Sequence, residues 1–452
     1  MKNIWPVVRL GEVCAKIGSG ATPRGGSEVY LASGVTLIRS QNVYNDRFER
    51  NGLAFMGDEH ARDLKNVSVE ANDVLLNITG DSVARCCIAP ADVLPARVNQ
   101  HVVLIRPRGE TLDPRYLRYQ LVVPEMQERL FSLASAGATR NALTKGMIEN
   151  LEIPLPPLPV QKRIAHILGT LDDKIELNRR MNETLEAMAR AIFKSWFIDF
   201  DPVKRNMERK QLSPGLRPPS PTGRGAGGEG ADALFPSEFQ NSELGLIPKG
   251  WRVGRIGDLG AVICGKTPRT SEPAYYGTDI PFITIPDMHN VLAVTSTKRS
   301  LSALGANTQR SKTLPLGSIC VSCIATAGLV AMVATPSQTN QQINTVIPLE
   351  KWGKAFPLFT LRHVGDAVLA AGSGGSVFHN LSKSGFSQIG ILLPTDQLAQ
   401  IFGNISEPKV GAIVASQMQT QALAALRDAL LPKLLSGELT ISEEASTERG
   451  IS

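Results

Sequence analysis

A chain of 452 residues, 42% apolar and 20% charged, holds enough material for two or three domains, each with its own core. The net charge of +6 is a mild basic excess, compatible with a nucleic-acid partner but too small to require one. Six scattered cysteines imply no disulfide framework, no apolar run of a signal peptide opens the chain, and the most membrane-like window, 319–334, is broken by Ser322, Thr326 and Gly328. A soluble, cytoplasmic protein is expected.

In chain order, the first 150 residues read as β-rich. Short apolar runs (Val35–Ile38, Val74–Ile78, Val102–Ile105) lie between clusters of Gly, Pro, Asn and Asp. A helical piece is expected at Pro114–Leu133. A proline ladder follows (Pro154, Pro156, Pro157, Pro159), through which no helix runs. From Val160 to Asp199 the pattern changes. Ile164, Leu171, Asn178, Leu185 and Ile192 fall at steps of seven, with Ile167, Met181 and Met188 three residues on and Leu168 and Ile175 next to that position. This apolar stripe predicts one helix of about 60 Å. Such a helix needs a partner along its length, and the spacing favours one arm of a coiled coil over a single core helix. For Asn178 two readings stay open: a buried, register-setting amide, facing Ser416 across the coil, or simple exposure. The segment Lys204–Gly250 is expected to be a flexible linker, with its Pro/Gly-rich stretch 217–230 unable to pack.

The second half then repeats the first. Gly20, Thr22, Pro23 and Arg24 return as Gly265, Thr267, Pro268 and Arg269 at a constant offset of 245, and Val74–Ile88 meets Ile319–Val333 without a gap. Asn99-Gln100 returns as Asn340-Gln341, Leu143-Thr144-Lys145 as Leu381-Ser382-Lys383, and the long helix has a counterpart from Asp396 to about Ser436. Pro408 is expected to interrupt that counterpart. The fold class is therefore α/β (α+β): two tandem globular domains, 1–158 and 251–395, joined by two long antiparallel coiled-coil helices, 159–203 and 396–438, as a pseudo-twofold internal repeat. The linker spans 204–250 and a tail 439–452.

Several words in the repeat carry a resemblance. They are PLPPLPVQKRIA at 154–165, LDDKIELN at 171–178, SWFIDFD at 195–201, VNQH at 98–101 and LLPKLLSGEL at 430–439. As a set, they make the chain resemble the DNA-specificity subunit of type I restriction–modification systems over nearly its whole length. The resemblance implies that each globular domain is a target-recognition domain reading one half of a split DNA sequence. It implies helices that fix the gap between the halves and dock two methyltransferase subunits, joined by two restriction/translocase subunits. It also implies a chain without catalysis of its own. The second helix departs from a close copy at Glu407–Gly411.

Other motifs in the chain compete with this reading. Gly260–Thr267 fits the phosphate-loop pattern G-x-x-x-x-G-K-[ST], which would make the chain a P-loop NTPase or nuclease. Pro268 follows at once, however, where a P-loop needs a helix, and the first copy has Ala21 in place of Lys266. A glycine turn presenting Lys266, Thr267 and Arg269 to DNA is the preferred reading. Cys320-x-x-Cys323 lacks a second pair at zinc spacing and aligns with Leu75 and Ile78, so both cysteines are expected in strand cores. The six histidines make no catalytic constellation, and neither a cofactor nor a metal is expected. A structural protein whose two heads bind other proteins is the remaining rival.

For DNA contacts the duplication offers a sorting rule. Polar residues shared by the copies suit framework or phosphate-backbone roles: Thr22, Arg24, Asn99, Gln100 and Lys145, and Thr267, Arg269, Asn340, Gln341 and Lys383. Polar residues that differ suit base reading: Arg39, Gln41 and Asn42 against Thr284, Pro286 and Asp287, and Arg140 and Asn141 against Phe378 and His379. Arginine binds guanine, and Asn or Gln binds adenine, through paired hydrogen bonds. The shared Asn-Gln pair fits buried turn capping equally well.

Overall fold

The computed structural model describes residues 5–45, 47–135, 142–211, 233–323, 326–370 and 382–439. The chain forms two compact units, Met1–Leu177 with Thr420–Ser452, and Asn178–Gln419.

In the first unit a four-stranded antiparallel sheet runs in the order Cys14–Ser19, Val102–Pro107, Val74–Asn77, Cys86–Ile88. A second sheet orders Ala54–Met56, Val35–Ile38, Ala96–Val98 and Ser68–Val69, with its central pair parallel. Side chains alternate across a strand. Val74 and Leu76 therefore enter the core formed with the helices, while Leu75 enters the core between the sheets. Strands buried on both faces read as continuous apolar runs, which is how they look in the sequence. The expected helical piece is two helices, Pro114–Val122 and Pro124–Ser135, because Pro124 holds Val123 extended.

The second unit repeats this plan. A five-stranded sheet orders Gly260–Cys264, Ile343–Pro348, Ile319–Ser322, Val330–Val333 and Ala293–Val294. Beside it Tyr276–Ile283 pairs parallel with Gln338–Thr339, as Val35–Ile38 pairs with Ala96–Val98. Cys320 and Cys323 are buried and belong to different cores, one on each side of the strand. Burial pushes the Cys320 thiol up to about 12. No cluster of metal-ligating side chains occurs among the described residues.

The long helices run Leu158–Phe197 and Asp396–Ser436. The first begins inside the proline ladder, since Pro159 sits in its first turn, where a missing N–H costs nothing. In the first unit Ile164, Ala165 and Leu168 share a core with Leu431, Leu434 and Leu435. In the second unit Asn178 meets Gln419, and Phe193 meets Phe402 with ring centroids 5.7 Å apart, so rising numbers on one helix meet falling numbers on the other: the pairing is antiparallel. Asn178 is fully buried. Its Nδ2 donates to Gln419 Oε1 at 2.8 Å, and Ser416 Oγ donates to its backbone carbonyl at 3.5 Å.

Three expectations are corrected. Pro408 does not interrupt the second helix, which continues through it. Pro408 is exposed, and next to it Lys409 Nζ donates to the Ile405 carbonyl at 2.6 Å. Met181 and Met188 are exposed rather than in the seam, which is filled by Ala189 and Phe193 instead. The stretch 204–250 is partly structured. Asp201–Gln211 is a helix, and Phe239–Ser242 pairs with Gly245–Pro248 as a hairpin. Phe200 turns left-handed to start that helix, and Trp196, Phe197, Phe235 and Trp251 bury their rings together, which holds the segment down. The Pro/Gly-rich residues 212–232 lie outside the described residues.

Candidate nucleic-acid interface

In each domain one end of the two sheets collects the same four loops. In the first domain these follow Cys14–Ser19, Val35–Ile38, Val74–Asn77 and Ala96–Val98. In the second they follow Gly260–Cys264, Tyr276–Ile283, Ile319–Ser322 and Gln338–Thr339.

The duplicated Gly-x-Thr-Pro-Arg loop is bound to the duplicated Asn-Gln turn. Thr22 Oγ1 donates to Gln100 Oε1, and Thr267 Oγ1 donates to Gln341 Oε1 at 2.6 Å. Behind each bond a glycine lets the two segments touch. A Cβ on Gly20 would fall 1.7 Å from the Val98 carbonyl oxygen, and one on Gly265 would fall 2.1 Å from that of Asn340. Gly20 N donates to the Val102 carbonyl and Gly265 N to that of Ile343, the same bond in both copies. The clamp leaves Thr22, Arg24, Gln100, Lys266, Arg269 and Gln341 at the surface, with Thr267 partly exposed. In the first copy it extends further. Gln100 already accepts from Thr22, so its amide NH2 faces His101 Nε2 at 3.2 Å and that nitrogen accepts. The His101 proton is then on Nδ1, 2.6 Å from Thr79 Oγ1.

Asn99 and Asn340 are turn caps: each Oδ1 accepts the N–H two residues on, from His101 and Gln342, both at 3.1 Å. Of the two readings, capping is the one their geometry supports. Asn42 and Asp287 also cap. Asn42 Oδ1 accepts from Arg39 N at 3.0 Å and its Nδ2 donates to the Glu49 carbonyl, while Asp287 Oδ2 accepts from Thr284 N at 2.8 Å and from Thr284 Oγ1 at 2.6 Å. Asn42 is fully buried. At these matched positions amide and carboxylate do one capping job. Arg39 and Gln41 remain near the surface; both donate to the Gly52 carbonyl, at 2.6 and 3.2 Å, and Arg39 lies over the Tyr30 ring.

Lys145 and Lys383 each open a short helix whose N-cap hydroxyl, on Thr144 or Ser382, accepts from the backbone three residues on. Leu143 N donates to the Ile78 carbonyl, which brings the first of these segments to the same sheet end. Arg140, Asn141 and His379 lie outside the described residues. Sequence reasoning missed Arg47 and Arg85, whose guanidinium groups stand 4.4 and 4.7 Å from the Tyr44 ring beside the same loops. No short motif marks them, because the three meet only when the turns following two different strands come together.

Gly260–Cys264 is a strand, and no helix begins at Lys266 or Thr267, so the P-loop pattern lacks the helix N-terminus that would hold phosphate. No helix among the described residues is long and apolar enough to cross a membrane.

The architecture is that of a duplicated recognition protein: two copies of one loop-bearing sheet end, each followed by a long helix. The family model described as "Type I restriction modification DNA specificity domain" matches residues 3–187 and again 248–403. The chain is 34% identical over 439 residues to the type I restriction enzyme HindI specificity subunit of Haemophilus influenzae, covering 90% of this chain and 94% of that one. It is 25% identical over 466 residues to the MjaIX specificity subunit of Methanocaldococcus jannaschii, covering 97% and 94%. The crystal structure of a type I restriction–modification S subunit from M. genitalium shares the fold, with a TM-score of 0.59 at 14% identity over 96% of both chains. The chain belongs to the type I restriction–modification specificity-subunit family, whose members are DNA sequence-recognition subunits.

Proposed function

We propose that this chain reads a bipartite DNA target, one half with each clamp-bearing sheet end, and directs adenine methylation or restriction carried out by partner subunits. It supplies no chemistry itself, and its place of action is the cytoplasm, where the DNA is. The observation that carries this is the duplicated Thr–Gln clamp, which holds the loop of Arg24 in one domain and that of Lys266 and Arg269 in the other beside loops of differing sequence, while Lys145 and Lys383 open matched short helices. Cationic groups on matched frames meet phosphate in both halves, and the differing loops meet bases. Arg39, Gln41, Arg47 and Arg85 in the first domain, and Thr284 in the second, are the base-side candidates.

The partners are two methyltransferase and two restriction/translocase subunits. Exposed Met188 and Leu426 support a docking role for the helices. They are repeat-equivalent, and both remain about half exposed (47% and 48%).

The test is to map modified adenines with the chain and its methyltransferase partner present, then with residues 1–151 exchanged for those of a relative. One half-site should change and the other persist. Methylation without sequence preference, or a change in both halves, refutes the reading. Binding should weaken with salt, with a slope of several phosphates.

A further inference from the structure

In each recognition domain an arginine that is bonded at both ends binds the central helix, and the two arginines correspond in the repeat; the first domain adds a one-ended pair, Arg115 with Asp173 at 2.9 Å. Leu117-Arg118 sits on the helix Pro114–Val122, and Leu361-Arg362 on the helix Ala355–Ala370. Each reaches in two directions. Toward the sheet end, Arg118 donates to the Asn45 carbonyl, and Arg362 donates to those of Val291 and Val330 at 3.4 and 3.5 Å. Asn45 and Val291 both follow the capped turn that carries Asn42 or Asp287. Toward the central helix, Arg118 binds Asp172 Oδ2 at 2.7 Å and Arg362 binds Glu186 Oε1 at 2.8 Å. A small cavity lies beside each arginine, about 100 Å³ in the first domain and about 130 Å³ in the second.

The carboxylates are not repeat-equivalent. The counterpart of Asp172 is Val410, buried and apolar, and the second domain uses Glu186 instead. The same two-ended tether is thus built twice with different anions. Asp172 is the more elaborate anchor: it also accepts from Tyr119 Oη at 2.7 Å and from Arg427 at 2.8 Å, so three donors converge on one carboxylate.

We propose that Arg118 and Arg362 are positioning residues that lock the orientation of each recognition domain on the central helix, and so set the gap length the protein accepts between half-sites. This rests on the bipartite reading above. The physical reason is directionality. The apolar contact between domain and helix holds the two together but is indifferent to small rotations. A planar guanidinium bonded at both ends is not. The far end of each tether lies next to the loops assigned to DNA, so a rotation there moves those loops.

The test uses the chain assembled with its methyltransferase partner and DNA carrying the mapped target, with the native gap or a gap changed by one base pair. Arg118→Met, Asp172→Asn, Arg362→Met and Glu186→Gln are compared with wild type. Each should lower the preference for the native gap by about tenfold or more, the scale on which ångström misplacement acts. The penalty for a wrong base inside either half-site should stay as in wild type. An unchanged gap preference in folded Arg118→Met and Arg362→Met, or an equal loss on all DNAs, overturns the proposal. Should Arg118→Met fail to fold, Glu186→Gln decides, because its carboxylate is partly exposed (26%) and also held by Arg190. If wild type recognises no two-part site, the bipartite reading itself falls; if it does and the variants keep its gap, only the anchor falls.

Discussion

Gly20→Ala is the sharpest perturbation of the proposed interface. The added Cβ would lie 1.7 Å from the Val98 carbonyl oxygen and 2.6 Å from that of Asn99, and carbon–oxygen contacts under 3.0 Å are essentially never seen. Val98 is buried in a strand paired on both sides, so the loop must retreat by more than an ångström. Overpacking of this kind costs about 1–3 kcal/mol, and the lost Thr22–Gln100 bond adds about 1 kcal/mol. With Thr22 and Arg24 displaced, binding to the full site should fall about 10- to 100-fold, the value of one good contact set. Anisotropy titrations of the assembled complex, on DNA with both halves intact and with each half randomised, measure this. The loss should be confined to one half-site, and Gly265→Ala should give the complementary loss. Gly18→Ala is the control, since its Cβ would meet nothing within 4 Å. If Gly20→Ala lowers thermal stability yet binds the full site within about twofold of wild type, the clamp does not face DNA.

Other consequences follow from the packing. Pro408→Ala should raise stability by about 1–3 kcal/mol in denaturant unfolding, because the helix already continues there and regains an N–H donor. Trp196→Ala should cost about 3–5 kcal/mol, since the indole is buried against Phe197, Phe235 and Phe402. Glu238, between Lys210 and Lys249, is held down to about 2 by hydrogen bonds from both ammonium groups. A depressed carboxylate stabilises fully above its ordinary value near 4.5 and loses that contribution as pH falls toward 2. Exchange protection of the 239–248 hairpin, taken relative to intrinsic exchange, should therefore decline slightly over that window, and Glu238→Gln should remove that decline.

The sequence by itself determined the duplication, the strand runs and both long helices, because these rest on local periodicity and on proline, whose effects do not depend on distant partners. It also placed the Gly-x-Thr-Pro-Arg loop and the Asn-Gln turn as matched elements. It could not join Thr22 to Gln100, 78 residues away, or show that Gly20 is what allows the approach. By sequence Asn42, Asp287, Asn99 and Asn340 are candidates for DNA contact, and in the folded loops each serves as a cap. Which backbone N–H is left without a partner depends on where a turn ends against its neighbours, and the nearest short polar side chain then takes it. Met181 and Met188 carry the seam's spacing but point to solvent, because the Phe193 and Ala189 positions already fill the space against the partner helix. The arginine anchors were invisible for the same reason. Asp172 and Glu186 look like ordinary charges on a helix until tertiary structure brings a guanidinium to each, and only a folded domain fixes both ends of that bond.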